Sequence, residues 1–163
     1  MKNDLLLNES EMQERIENAI LNAFKSGLSG QTDYFYNLFG KREFTFYNSV
    51  HEANSQGSSP KFPCAVLTLS STPLDRTITS CQVERFSEVE LELEHYNVAV
   101  GDRDKERIGQ IVNFVIKKTL QQEFGIVLNS NIAVLSPDSK IYRRSMRGIF
   151  IYDNLNNIFG KGD

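Results

Sequence analysis

Glu88-Val89-Glu90-Leu91-Glu92-Leu93-Glu94 is the most informative stretch of the sequence, because acidic and aliphatic side chains alternate in it at every position. Successive side chains of a β-strand point to opposite faces, so a period of two places the aliphatic residues on one face and the four glutamates on the other. The pattern predicts a strand over about residues 83–98.

Helical patterns lie on both sides of this strand in the sequence. Residues 10–26 carry apolar side chains at spacings of three and four, and Asn8 with Glu11 is typical of a capping box at a helix start. A second helix is predicted from a cap at Asp102 to a glycine cap at Gly125. Its apolar stripe consists of Ile108, Ile111, Val112, Val115, Ile116 and Leu120.

Four further stretches are typical of strands, namely residues 44–47, 62–70, 126–135 and 140–153, with turn residues at 136–139. Covering one face of a sheet with both helices buries all the apolar stripes together. We therefore predict an α+β fold with an antiparallel or mixed sheet of about four to five strands and two α-helices packed on one face.

The chain is expected to form a single domain over residues 1–163, with its core in residues 10–153. Residues 48–61 are rich in Ser, Asn and Gly, which predicts a long polar loop or mobile arm. Residues 154–163 are polar and contain glycine, which predicts a flexible C-terminal tail.

Composition excludes several classes of protein. The formal charge of −3 lacks the basic surplus of a protein that grips nucleic acid through its phosphates. No apolar run approaches the ~20 residues that cross a bilayer, and the N-terminus lacks the pattern of a secretory signal. Two cysteines are too few for a disulfide scaffold. We expect a protein made in the cytoplasm that does not act at a membrane.

The row of Glu88, Glu90, Glu92 and Glu94 is the strongest candidate for a functional feature. A divalent-metal site needs carboxylates that converge from several elements, whereas a flat row diverges into solvent. A solvated outer face that discourages edge pairing is one interpretation. An acidic wall at a subunit interface or a pore is another.

Other patterns give little support for catalysis. Pro137-Asp138 followed by Lys140 is similar to half of a metal-dependent nuclease signature, but the second acidic element is missing. His95 falls on the aliphatic face of its strand, where we expect a partly buried, hydrogen-bonded side chain, and His51 lies in the polar loop. We predict neither enzymatic activity nor a bound cofactor or metal ion.

Three arginines near the end of the chain are candidates for pairing with the glutamates. Arg143 and Arg147 share one strand face, and Arg144 points the other way. Arginines on a strand can pair with glutamates of a neighbouring strand, within the chain or across a subunit boundary. A solvated basic edge is the alternative.

The layout resembles a known family. The Phe62-Pro63-Cys64-Ala65-Val66 strand start, the acidic strand running into the second helix, Ser136-Pro137-Asp138, and Ile141-Tyr142-Arg143-Arg144 ahead of Asp153 are similar to the tail-terminator (tail-completion) proteins of long-tailed bacteriophages and tail-like particles. The resemblance covers roughly residues 10–153.

The resemblance implies a structural virion protein, assembled in the host cytoplasm. Such a protein forms a homo-hexameric ring on the tail tube, ends tube polymerisation and presents the surface for head attachment. Its partners are then copies of itself, the tail-tube protein and head–tail connector proteins, and DNA passes through the ring without being read. The four glutamates and Arg143, Arg144 and Arg147 become candidates for subunit-interface or pore-lining residues.

Two other classes of function stay open. The chain can be another phage connector or tail component, such as a stopper, a tube subunit or a minor virion protein. It can also be a small ligand-binding domain or an enzyme, which requires a pocket with convergent polar groups.

Overall fold

The computed structural model describes residues 9–26, 44–48, 61–73, 86–99, 104–134, 140–153 and 158–160. Within them lie two helices and six strands, and their arrangement confirms the predicted α+β fold. In chain order the elements are α1 (Glu9–Ser26), β1 (Thr45–Tyr47), β2 (Cys64–Pro73), β3 (Phe86–Asn97), α2 (Lys105–Phe124), β4 (Leu128–Val134), β5 (Tyr142–Asp153) and β6 (Ile158–Gly160).

The strands form one mixed sheet in the order β1-β2-β3-β5-β4, with β6 also paired to β5. β1 is parallel to β2, and the other pairs are antiparallel. The acidic strand β3 is central, because β2 lies along one side of it and β5 along the other. Both β4 and β6 lie along the second side of β5.

Three residues of the predicted C-terminal tail pair with the sheet. Residues 154–163 were expected to be a flexible tail, but Ile158–Gly160 form β6, which pairs with Ile151–Asp153 of β5. Backbone hydrogen bonds to an existing strand edge give these residues an ordered place that their polar surroundings in the sequence do not suggest.

The core lies between the two helices and one face of the sheet, which we call the inner face. Its β3 contribution is Val89, Leu91 and Leu93, all with no exposed surface. The apolar stripes of both helices meet these residues in one cluster, as the periodicity predicts. Fully buried members from the helices are Ile16, Ile20, Val112, Val115, Ile116 and Leu120.

The start of α2 differs from the sequence prediction, and its end agrees with it. Asp104 is the N-cap, since its carboxylate accepts a 2.7 Å hydrogen bond from the backbone N–H of Arg107. Asp102, the predicted cap, lies outside the described residues. At the other end Gly125 adopts the left-handed conformation with φ of 66°, as predicted for a glycine cap.

Several predictions fall on residues that the structure does not describe. They are the Asn8 cap, the interior of the polar arm at 48–61, and the turn at 136–139. His51 and Cys81 lie there as well. Among the described helices, neither combines the length and hydropathy needed to cross a membrane.

Candidate functional site

The four glutamates of β3 lie on the sheet face that points away from the helices, which we call the outer face. Their aliphatic neighbours in the sequence are fully buried on the inner face, as the alternation predicts. The exposure of the side chains decreases along the row: Glu88 and Glu90 are exposed, whereas Glu92 and Glu94 are half-buried. The row therefore contains two environments.

Arg143 and Arg147 of β5 account for that difference. Arg147 is directly opposite Glu92 in the strand register, and its Nη2 lies 3.2 Å from Glu92 Oε1. Arg143 reaches diagonally to Glu94, where Nη2 donates a 2.7 Å hydrogen bond to Oε1. The cationic and acidic strands are thus neighbours in one sheet, and pairing within the chain is the arrangement observed for these two arginines.

Tyr96 completes the site around Glu94. The Tyr96 hydroxyl donates a 2.6 Å hydrogen bond to Glu94 Oε2, so each carboxylate oxygen has a donor. Burial tends to raise the pKa of the Glu94 carboxyl, but the hydrogen bonds from Arg143 and Tyr96 and the charges of Arg143 and Arg147 outweigh it. The pKa of Glu94 is consequently below its ordinary value, and the group is a carboxylate at neutral pH.

Arg144 is separated from the other arginines. It lies on the inner side of β5, half-buried, and its guanidinium donates to the side chain and the backbone carbonyl of Asn131. A further 2.8 Å hydrogen bond runs from Nη1 to the Tyr142 hydroxyl. The predicted opposite orientation of Arg144 is correct, and its donors are directed to groups within the same chain.

Large apolar side chains are exposed beside the charged residues. Ile132 and Val134 of β4 lie opposite Ser145 and Arg143 in the register, so they share the outer face. Ile149 is on the same face of β5, directly opposite Glu90. The exposed fractions are 63% for Ile132, 48% for Ile149 and 43% for Val134. We call these three residues the outer apolar patch.

The exposure of Ile132 and Val134 was not predicted from the sequence. A signal existed, because Ile132 and Val134 alternate with Asn131 and Ala133 at the period of a strand. In an ordinary half-buried strand the larger aliphatic side chains face the core. Here they face outward, while Asn131 lies on the inner side and accepts the Arg144 hydrogen bond.

A buried polar cluster lies on the inner side around His95. The ring has no exposed surface and its Nδ1 is 3.1 Å from Asn97 Nδ2, so the expected buried, hydrogen-bonded histidine is confirmed and its burial is complete. Burial, and to a smaller extent the nearby charge of Arg144, lowers the pKa of His95 to about 3. His95 is therefore neutral at physiological pH.

No group of three or more His, Cys, Asp or Glu side chains among the described residues is placed to hold a metal ion. The thiol of Cys64 is buried, and burial raises its pKa to about 12, which disfavours the nucleophilic thiolate. What the outer face presents is an ordered set of carboxylates, guanidinium groups and exposed aliphatic side chains.

The sequence matches no protein-family model, and no curated protein resembles it at a significant level.

Proposed function

We propose that this chain is a structural protein of a phage tail or tail-like particle, which assembles with copies of itself into a ring that caps the tail tube. In that role it ends tube polymerisation and offers a surface for the head. The proposal joins the resemblance of the sequence layout to the character of the outer sheet face.

One observation carries the proposal. The outer face holds the outer apolar patch beside a ladder of ion-paired glutamates and arginines. Large aliphatic side chains that are exposed among polar ones are typical of protein–protein contact sites. Charged groups that are held in position by ion pairs help to determine which partner binds and how the two surfaces align.

The row of exposed carboxylates is compatible with DNA passing close to the ring without being held. Glu88 and Glu90 are exposed and, within the described part of the chain, have no ion-pair partner. A negatively charged surface releases no counterions from DNA and therefore gains no affinity for its phosphates.

The proposal is tested by locating the chain in assembled particles. Particles are produced with the chain carrying an epitope tag, and gold-labelled antibody is imaged by electron microscopy. Label at one end of each tail is the expected result. Label along the whole tube indicates a tube subunit, and label confined to the head or absent from particles overturns the proposal.

A pair of variants ties the location to the outer face. Ile132→Glu places a charge in the outer apolar patch, so it should remove the chain from tail ends while the purified protein stays folded. Lys25→Gln lowers the net charge by the same amount at an exposed position of α1, away from the outer face, and should leave end-labelling unchanged. Equal labelling of particles by both variants contradicts a role for this face.

A further inference from the structure

The outward side of α2 carries a basic and aromatic strip. Arg107, Phe114 and Lys117 are exposed, and the helical spacing of seven and three residues places them on one side of the helix. Phe114 is 40% exposed, although a large aromatic ring usually lies inside. The Nζ of Lys118 lies 5.9 Å from the centroid of the Phe114 ring and adds a third cation to the strip.

This strip lies on the opposite side of α2 from its buried stripe. Buried residues of α2, among them Val112, Val115 and Ile116, pack toward the inner face of the sheet. The strip therefore faces away from the sheet, and the outer sheet face looks in the other direction. The molecule has two different surfaces on opposite sides.

The two surfaces complement each other in charge and in apolar character. On the outer face, Glu90 is directly opposite Ile149 and Glu88 is opposite Ile151, so two acidic side chains without basic partners in the described residues stand beside exposed or half-buried isoleucines. On α2, cations surround an exposed aromatic ring.

We propose that copies of this chain associate head to tail, with the outward strip of α2 in one copy packed against Glu88, Glu90 and Ile149 of the next. The inference rests on the proposed function in assuming self-assembly, and it specifies the surfaces that meet. A contact between two different surfaces leaves one of each free at the ends of a chain of subunits, and it closes into a ring when the rotation between neighbours allows.

Charge disfavours the symmetric alternatives. A sheet-to-sheet dimer brings Glu88 and Glu90 toward the same carboxylates of the second copy. A helix-to-helix dimer brings Lys117 and Arg107 toward like charges in the same way. Like-charge juxtaposition across an interface opposes association, so the same groups that favour the head-to-tail contact act against both symmetric ones.

Disulfide cross-linking distinguishes these arrangements. The single variants Phe114→Cys and Ile149→Cys are made in a Cys81→Ser background, with buried Cys64 retained. Each variant alone should give no covalent dimer under mild oxidation, because in a head-to-tail contact its cysteine faces the unsubstituted surface of the next copy. An equimolar mixture should give a covalent dimer, and the chain carrying both substitutions should give a ladder of oligomers.

The cross-linking is carried out in concentrated solution and on assembled particles. Dimers formed by either single variant alone indicate a symmetric contact and overturn the inference. Absence of dimers from the mixture in both settings overturns it as well. A disulfide shows only that two residues come close to each other. A second measurement therefore tests the charges, by reversing one charge on each of the two surfaces.

Lys117→Glu and Glu90→Lys are each expected to reduce the rate of cross-linking by about two- to five-fold, the effect of one exposed ion pair. When Lys117→Glu on the Phe114→Cys chain meets Glu90→Lys on the Ile149→Cys chain, the rate should recover. Glu14→Lys, at an exposed position of α1, is the matched control and should have no effect. Additive losses without recovery contradict the proposed pairing of surfaces.

The outcome is separable from that of the proposed function. If gold label marks tail ends but the mixture does not cross-link, the head-to-tail geometry is wrong and the capping role stands. If the mixture cross-links but the label runs along the tube, the geometry stands and the capping role is wrong.

Discussion

Glu94 accepts a 2.7 Å hydrogen bond from Arg143 although the two residues are not register partners, since Arg143 is opposite Tyr96 and Glu94 is opposite Ser145. Arg147 and Glu92 are directly opposite, yet their ion pair is longer at 3.2 Å and more exposed. The side chain of Glu94 is 17% exposed and that of Glu92 is 43% exposed. The diagonal pair is therefore the less solvated one, and solvent screening weakens it less.

This difference predicts unequal effects of removing the two arginines. Arg143→Gln should lower the free energy of unfolding by about 1 kcal/mol, and Arg147→Gln by about half as much or less. Urea denaturation at neutral pH and low salt measures both values. A larger loss for Arg147→Gln contradicts the assignment of Glu94 as the better-paired carboxylate.

The pH dependence of the Arg143 effect follows from the lowered pKa of Glu94. A carboxyl whose pKa is lower in the folded than in the unfolded state contributes stability above its ordinary pKa, and this contribution is lost as the pH falls through the folded value. The difference between wild type and Arg143→Gln should therefore shrink below about pH 4.5. A carbon-detected NMR titration should show the pKa of Glu94 rising in the variant.

His95 should make folding sensitive to mild acid. Its pKa in the folded state is about 3, against an ordinary 6.5, so between these values the unfolded chain binds a proton that the folded chain does not. Stability should thus fall as the pH decreases from 6.5 toward 3, by at most about 1.4 kcal/mol per pH unit.

His95→Gln provides the comparison for this pH effect. The variant should lose the His95 part of the pH dependence between pH 5 and 6.5, while His51 contributes equally to both proteins. Unfolding by urea at several pH values gives the slopes. An NMR titration in which His95 of the folded protein protonates near 6.5 would refute the prediction.

Gly109 should be intolerant of a side chain. A Cβ built at this position overlaps Cε1 of the Tyr142 ring, far inside van der Waals contact. Tyr142 is buried and accepts a hydrogen bond from Arg144, so its ring cannot move without disturbing that contact. Gly109→Ala should lower the free energy of unfolding by about 1–3 kcal/mol, despite the better helix propensity of alanine.

Two controls isolate the contact between Gly109 and Tyr142. Gln110→Ala, at the exposed neighbouring position of α2, should change stability by less than about 0.5 kcal/mol. In a Tyr142→Ala background the further change Gly109→Ala should cost little or nothing, since the clashing ring is gone. Equal costs of Gly109→Ala in both backgrounds would mean that the ring is not the cause.

Cys64 should be unreactive in the folded protein. Its side chain is buried and its pKa is raised to about 12, so little thiolate forms at pH 8. In a Cys81→Ser variant, alkylation by iodoacetamide should require unfolding and should accelerate by at least about 100-fold in urea. Labelling of the folded variant at the rate of a free thiol would show that Cys64 is accessible.

The periodicity of the sequence determined most of the architecture. The alternation around Val89 and Leu91 identified β3 and its two faces, and spacings of three and four identified both helices with their buried stripes. These features follow from the sequence because the repeat of each backbone conformation sets which side chains share a face. The same alternation placed Arg144 opposite in direction to Arg143 and put His95 inside.

The tertiary structure alone decided which residues meet. Strand order and register place Arg143 and Arg147 beside two of the four glutamates, and no local pattern contains that pairing. The outward orientation of Ile132 follows from the register of β4 on β5. Residues that are distant in sequence come together only through strand pairing and the packing of the helices on the sheet. The period of one segment therefore determines which side chains share a face, but it does not determine which strand lies next to that face.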